Sequence, residues 1–143
     1  MEFQVKPLEI TLIAKITLTA LLWCLPLIFF PSRLYDWLGF TIGPVIFVRL
    51  LGFAYLALLV GYVLACRDVV AGVYPANTIL VGLVSNLGAC LVLCWGALIG
   101  QWSERGWLAQ LYMWVSLAAT GAISLSLYTC GIKKYGWLTT RVT

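Results

Sequence analysis

The sequence has no histidine and little charge of either sign: nine Lys and Arg and five Asp and Glu in 143 residues, or 10% charged. An ordinary soluble domain carries about a quarter. Without histidine there is no imidazole to bind haem, zinc or copper, and the commonest general base near neutral pH is missing. Five cysteines are present, none in a CxxC pair, which leaves no thiol-redox or zinc motif. No phosphate-cradling glycine loop, nucleophile elbow or pair of catalytic carboxylates occurs. No cofactor and no metal site are therefore expected, and an enzyme has little to build on. The net charge of +4 is dispersed and forms no basic face for a nucleic acid.

Apolar residues fill the space that charge leaves, at 63% of the chain. Runs long enough to cross about 30 Å of hydrocarbon occupy residues 8–30, 45–65, 76–100 and 107–131. Only Glu9, Lys15 and Arg49 place charge inside them. The first run reads as a true span and not as a cleaved leader, because Glu9 sits in its approach and no small-x-small site follows it. The connections of 14, 10 and 6 residues leave no room for a soluble domain. Residues 1–143 are thus expected to form one all-α membrane domain, four transmembrane helices in an up-down-up-down bundle with sequential helices as neighbours.

Lys6, Lys15, Arg67, Lys133, Lys134 and Arg141 fall on one side of such a bundle, against Arg33, Arg105 and Arg49 on the other. The positive-inside rule then puts both termini in the cytoplasm and the protein in an inner, cytoplasmic membrane. Within the first external connection, prolines at 31 and 44 bracket Leu34, Trp37 and Leu38 at helical spacing, which predicts a short helix lying in the outer interface. Tyr74, Trp102, Trp107, Tyr135 and Trp137 sit near span ends, where aromatic belts form.

Small residues offer close-packing faces: Ala57, Gly61 and Ala65 in the second span, Ser116, Thr120 and Ser124 in the fourth, and Gly82, Asn86, Cys90 and Cys94 in the third. These face the bundle interior or, alternatively, a second copy of the chain. Asn86, the deepest strongly polar side chain, is expected to hydrogen-bond to another helix, with a pore or ligand-binding role as the alternative. Lys15 is expected to snorkel inward or to meet Asp68.

Counted from the outer ends of their spans, Trp23, Arg49, Trp95 and Trp114 share a layer roughly 6–11 Å deep. One arginine among several indoles suits a polar or anionic headgroup. The competing arrangement has Arg49 snorkelling to Asp36 or Glu104, with the indoles forming a deep belt. Cys24, Cys90, Cys94 and Met113 lie near the same depth, but with no histidine or carboxylate beside them they read as packing residues.

The run Pro44-Val-Ile-Phe-Val-Arg49-Leu-Leu-Gly52, followed by Gly61 and Tyr62, resembles the second-helix region of small DoxX-like four-helix membrane proteins, and the length and layout are similar across nearly the whole chain. That resemblance implies a four-helix bundle serving as an integral subunit or binding a hydrophobic ligand, with Arg49 as its candidate site residue. The function expected is a non-enzymatic accessory subunit, or a binder of a lipid-like or quinone-like molecule in an outer-leaflet pocket made by Arg49, Trp23, Trp95, Trp114 and Asn86. Membrane lipids, a homo-oligomer or a larger membrane complex are the expected partners. A small oligomeric transporter or channel is the alternative, weakened because the one acidic residue within a span, Glu9, lies at its edge.

Overall fold

The computed structural model describes residues 5–40 and 43–135; Trp137 and Arg141, used in the belt and charge arguments, lie outside them. The described residues form helices and the short turns between them, without strands. Four helices are long and apolar enough to cross a membrane: Lys6–Phe29, Val45–Val70, Ala76–Leu98 and Trp107–Tyr135. The chain is a multi-pass membrane protein. Its outward faces agree, for Phe29, Phe47, Leu64, Val92 and Leu98 are all well exposed, and a water-soluble monomer does not carry contiguous apolar surface on that scale.

The helix ends have local causes. Pro44 and Pro75 precede the second and third spans, where a missing N–H costs nothing. Gly72 and Gly100 end them with φ of +79° and +75°. At each glycine the chain closes a Schellman turn: Gly72 N–H donates to the Val69 carbonyl and Val73 N–H to Asp68, and Gly100 N–H donates to Ala97 and Gln101 N–H to Gly96. Only glycine adopts that conformation freely. The second helix therefore runs five residues past the expected boundary at 65, carrying Arg67 and Asp68 with it. Charge sets where lipid ends, whereas the backbone continues until Gly72 provides a stop.

The first span is not a uniform helix. It changes from α-helix over Val5–Leu18 to a π-helical turn over Thr19–Cys24 and back to α-helix over Leu25–Phe29. Pro26 is the cause: it has no N–H, and its ring crowds the carbonyl one turn earlier, that of Leu22. A hydroxyl from the fourth span compensates, since Tyr112 Oη donates to the Leu22 carbonyl. A second π turn, Tyr128–Ile132, interrupts the fourth span.

A short helix, Ser32–Trp37, follows the first span. Its Tyr35 is buried and donates its hydroxyl to the Pro26 carbonyl at 2.7 Å. Burial pushes the Tyr35 phenol above its ordinary pKa, with the positive charge of Arg49 opposing the shift.

The spans pack in the order second, first, fourth, third, with the second and third touching only sparsely. The expectation that sequential helices pack as neighbours therefore fails at one place. A five-residue connection, 71–75, ties two helix ends together, but a tie at one end does not close the length of two helices. Close approach where they do pack is visible at Gly52, where an added Cβ would come within 2.7 Å of Ile28 Cγ1 and 3.1 Å of the Ile28 nitrogen. Gly61 has nothing within 4 Å of that position and borders the gap instead. Of the small faces read from sequence, Ser116, Thr120 and Ser124 are buried, as are Gly82 and Asn86, while Cys94 faces outward.

Candidate functional site

One end of the bundle is closed by a core of Leu8, Leu12, Ala65, Val69, Ile79, Ile123 and Leu127. Above that core the sparse contact between second and third spans leaves a cavity of about 650 Å³, within the roughly 300–1,000 Å³ of pockets that hold one small ligand. Residues of all four spans line it. Leu51, Leu58, Val84, Val92, Leu93 and Met113 make its walls apolar, and Phe40, from the connection after the short helix, reaches one end. A smaller depression beside Ala57, Gly61, Asn77 and Val81 continues along the same gap.

Polar groups gather at the floor. Lys15 lines the cavity and is only 2% exposed; its Nζ lies 4.2 Å from the centroid of the Tyr62 ring. Tyr62 Oη and Ser85 Oγ are 3.3 Å apart. Asn86 Nδ2 donates to the carbonyl of Gly82 at 2.6 Å, and Ser85 Oγ donates to the same carbonyl at 3.1 Å. Ser116 is also buried, and its Oγ has no hydrogen-bond partner among the described residues. Thr120, one turn on, donates back to the Ser116 carbonyl at 2.9 Å.

Among the described residues Lys15 is the one cation in the cavity lining, and no Asp or Glu lines it. No carboxylate among the described residues forms an ion pair with it, Asp68 included. Lys15 lies nine positions after Lys6, where its span begins, which places it roughly 14 Å from the nearer end of that span. A lysine near the middle of a membrane helix costs about 2.5–3.5 kcal/mol even on the lenient insertion scales. A cation–π contact offsets about 0.5–2 kcal/mol of that. The balance leaves a position where a negative or strongly accepting group is favoured.

The residues expected to form the site divide between two places. Trp23 and Asn86 line the cavity, Trp23 stacked on Tyr55 with centroids 6.1 Å apart. Asn86 bonds within its own helix, to the i−4 carbonyl of Gly82, and not, as expected, to another helix. Arg49, Trp95 and Trp114 are absent from the lining. Trp95 is 64% exposed and Trp114 55%, the latter edge-on to the buried Trp102 with centroids 4.9 Å apart. Shared depth did not bring these side chains together, because they lie on different faces of their helices.

Arg49 has another task. Its guanidinium donates from Nη1 to the Leu27 carbonyl at 2.8 Å and from Nη2 to the Phe30 carbonyl. These are among the last carbonyls of the first span, which lack N–H partners of their own and carry the negative end of the helix dipole. Arg49 is thus a side-chain cap on a neighbouring helix, and it neither stacks on an indole nor pairs with Asp36 or Glu104 among the described residues. The thiols are equally dispersed: Cys24 is buried with its Sγ 4.0 Å from the Gly52 carbonyl, Cys94 is exposed, and no group of three metal-ligating side chains occurs among the described residues.

Sequence reasoning missed Lys15, Tyr62, Ser85, Ser116 and Thr120 as site residues. A signal was present. Thr11, Lys15 and Thr19 recur at steps of four on one helical stripe, and all three are buried; Ser116, Thr120 and Ser124 do the same on the facing span. No family model, no curated protein and no solved structure matches this chain.

Proposed function

We propose that the protein is a non-enzymatic, inner-membrane binder of a lipid-like or quinone-like molecule, which it holds in the cavity between the second and third spans. The observation that carries this reading is an apolar-walled cavity of about 650 Å³ with a buried Lys15 at its floor, in no ion pair among the described residues. A hydrophobic body suits the walls, and a polar end suits Lys15, Tyr62 and Asn86. The gap between the second and third spans gives access from the bilayer without passage through water. Relative to the expectation from sequence, the binding place moves from the Arg49 layer to the middle of the bundle.

The same reading has the four spans running up-down-up-down with both termini in the cytoplasm. It lays Ser32–Trp37 in the outer interface, with the well-exposed Trp37 at headgroup depth. The DoxX-like resemblance carries the same implication, an integral protein that holds a hydrophobic molecule or serves a larger complex. Native mass spectrometry of the gently extracted protein tests the proposal. A bound amphiphile should accompany the parent, and Gly88→Phe should lack it. Gly88 lines the cavity with nothing within 4 Å of an added Cβ, so the ring has room to enter without disturbing the helix. Equal ligand content in both proteins would remove the cavity as the binding place.

A further inference from the structure

Resting on the cavity-binder reading, we infer that the ligand is anionic, a single-chain amphiphile whose carboxylate is received by Lys15. Three features of the site select this chemistry. Among the described residues the lining contains one cation and no acid, so a single negative charge balances it. The same lining holds donors that its own bonds do not use up: the Ser116 hydroxyl, without a partner among the described residues, and the second N–H of the Asn86 amide, whose other contact is Ser85 Oγ at 3.5 Å, whereas the Ser85 and Thr120 hydroxyls already donate to backbone carbonyls. A carboxylate accepts about four hydrogen bonds and can receive the Lys15 ammonium together with these two donors. The cation also lies deep, roughly 14 Å from the nearer end of its span. A diacyl phospholipid holds its phosphate at the interface, whereas a fatty acid carries its charge on the end of one chain and can bring it to that depth.

The remaining lining fits the rest of the molecule. From Lys15 to Trp23 the cavity follows the first span for eight residues, roughly 12 Å, past Leu51, Leu58, Val92 and Met113 to the Phe40 and Tyr112 rings, which meet edge-on with centroids 5.7 Å apart. The chain lies along this wall with its head on Lys15, and any excess length leaves through the gap between the second and third spans. Arg49 plays no part, since both of its hydrogen bonds cap the first span.

The test uses the full-length protein in phosphatidylcholine nanodiscs, with oleic acid labelled with ¹³C at the carboxyl carbon as the probe. A protein-bound resonance is expected that remains at the carboxylate position at pH values where oleic acid in empty nanodiscs has become protonated. Methyl oleate, which keeps the chain but not the charge, should fail to displace it. Lys15→Gln should weaken oleate binding by about tenfold or more, the loss that follows removal of a charge-assisted hydrogen bond. Ser116→Ala, which does not touch the cation and preserves helix propensity, should weaken it by a smaller factor and serves where Lys15→Gln does not fold. Displacement of oleate by methyl oleate at equal concentration would overturn the anionic inference and leave the amphiphile binder standing, with a neutral amine at Lys15. Displacement by phosphatidylglycerol with no preference for oleate would replace the carboxylate by a phosphate and overturn the single-chain assignment. Absence of binding by both oleate and its ester, with no amphiphile on the extracted parent, would remove the underlying function as well.

Discussion

The two halves of this bundle are built from the same kind of residue and are packed differently. At the closed end, Leu12, Val69, Ile79 and Leu127 are completely buried and the helices leave no room. Gly131, on the π turn of the fourth span, would place a Cβ 2.9 Å from Ile79 Cγ2. In the other half the second and third spans part, and apolar side chains such as Val84 and Val92 stand at the rim of a cavity instead of against each other. Hydrophobicity does not distinguish the halves, because in lipid it provides no drive for one helix to seek another. What distinguishes them is which positions are small enough for backbones to approach and where polar groups need one another.

If the closed end holds the fold together, damage there should exceed damage at the cavity by a wide margin. Leu127→Ala is expected to lower stability by about 2–5 kcal/mol, as a large-to-small change in a close-packed core does. Val84→Ala at the cavity rim should stay within about 0.5 kcal/mol. Thermal unfolding of both variants in one detergent makes the comparison, and equal losses would mean that the gap closes in the membrane.

The junction of first and second spans should be the next most sensitive place. Gly52→Val drives a side chain into Ile28 and into the backbone beside it, at an expected cost of about 1–3 kcal/mol. Gly61→Ala in the open gap should be neutral or slightly stabilising, because alanine is the better helix former by about 1 kcal/mol. A destabilised Gly61→Ala would show that the small face of the second span is covered by another chain.

Tyr112→Phe should cost about 1–3 kcal/mol by stranding the Leu22 carbonyl that Pro26 leaves without a donor. The sharper reading comes from a double-mutant cycle. In a Pro26→Ala background the restored N–H can serve Leu22, so the same Tyr112→Phe change should cost distinctly less. Additive losses would separate the proline from the tyrosine.

Of the changes that remove a contact, the smallest effect belongs to Arg49. Arg49→Lys loses the fork that serves two carbonyls together, while keeping a positive charge at the negative end of the first span, and about 0.5–1.5 kcal/mol is the expected cost. Its ligand content should remain at the parent's level in native mass spectra. A lost ligand would return the site to the Arg49 layer.

Much of this architecture was legible before any tertiary information. Four apolar runs and the prolines before the second and third helices can be read directly, and Gly100 marks the end of the third. Gly72 could have been read likewise, but the charges at Arg67 and Asp68 drew the expected boundary forward to 65. The candidate site was legible in part. Trp23 and Asn86 do line the cavity, but Lys15 is read from the sequence as snorkelling inward or meeting Asp68, although its place in a stripe with Thr11 and Thr19 points to the bundle interior.

The sequence by itself determined that this chain is a four-span helical membrane protein, because the cost of burying charge and unpaired backbone in hydrocarbon permits little else for so many long apolar runs. It also determined where the second and third spans stop, through turn chemistry confined to a few residues. Only the tertiary structure decided which faces meet. A helix that is apolar all the way round carries no stripe to declare its inner side, and residues at equal depth on different helices are neighbours only if rotation turns them toward one another. Thus Arg49 caps a helix end, and Lys15 stands at the floor of a cavity formed where two consecutive helices diverge.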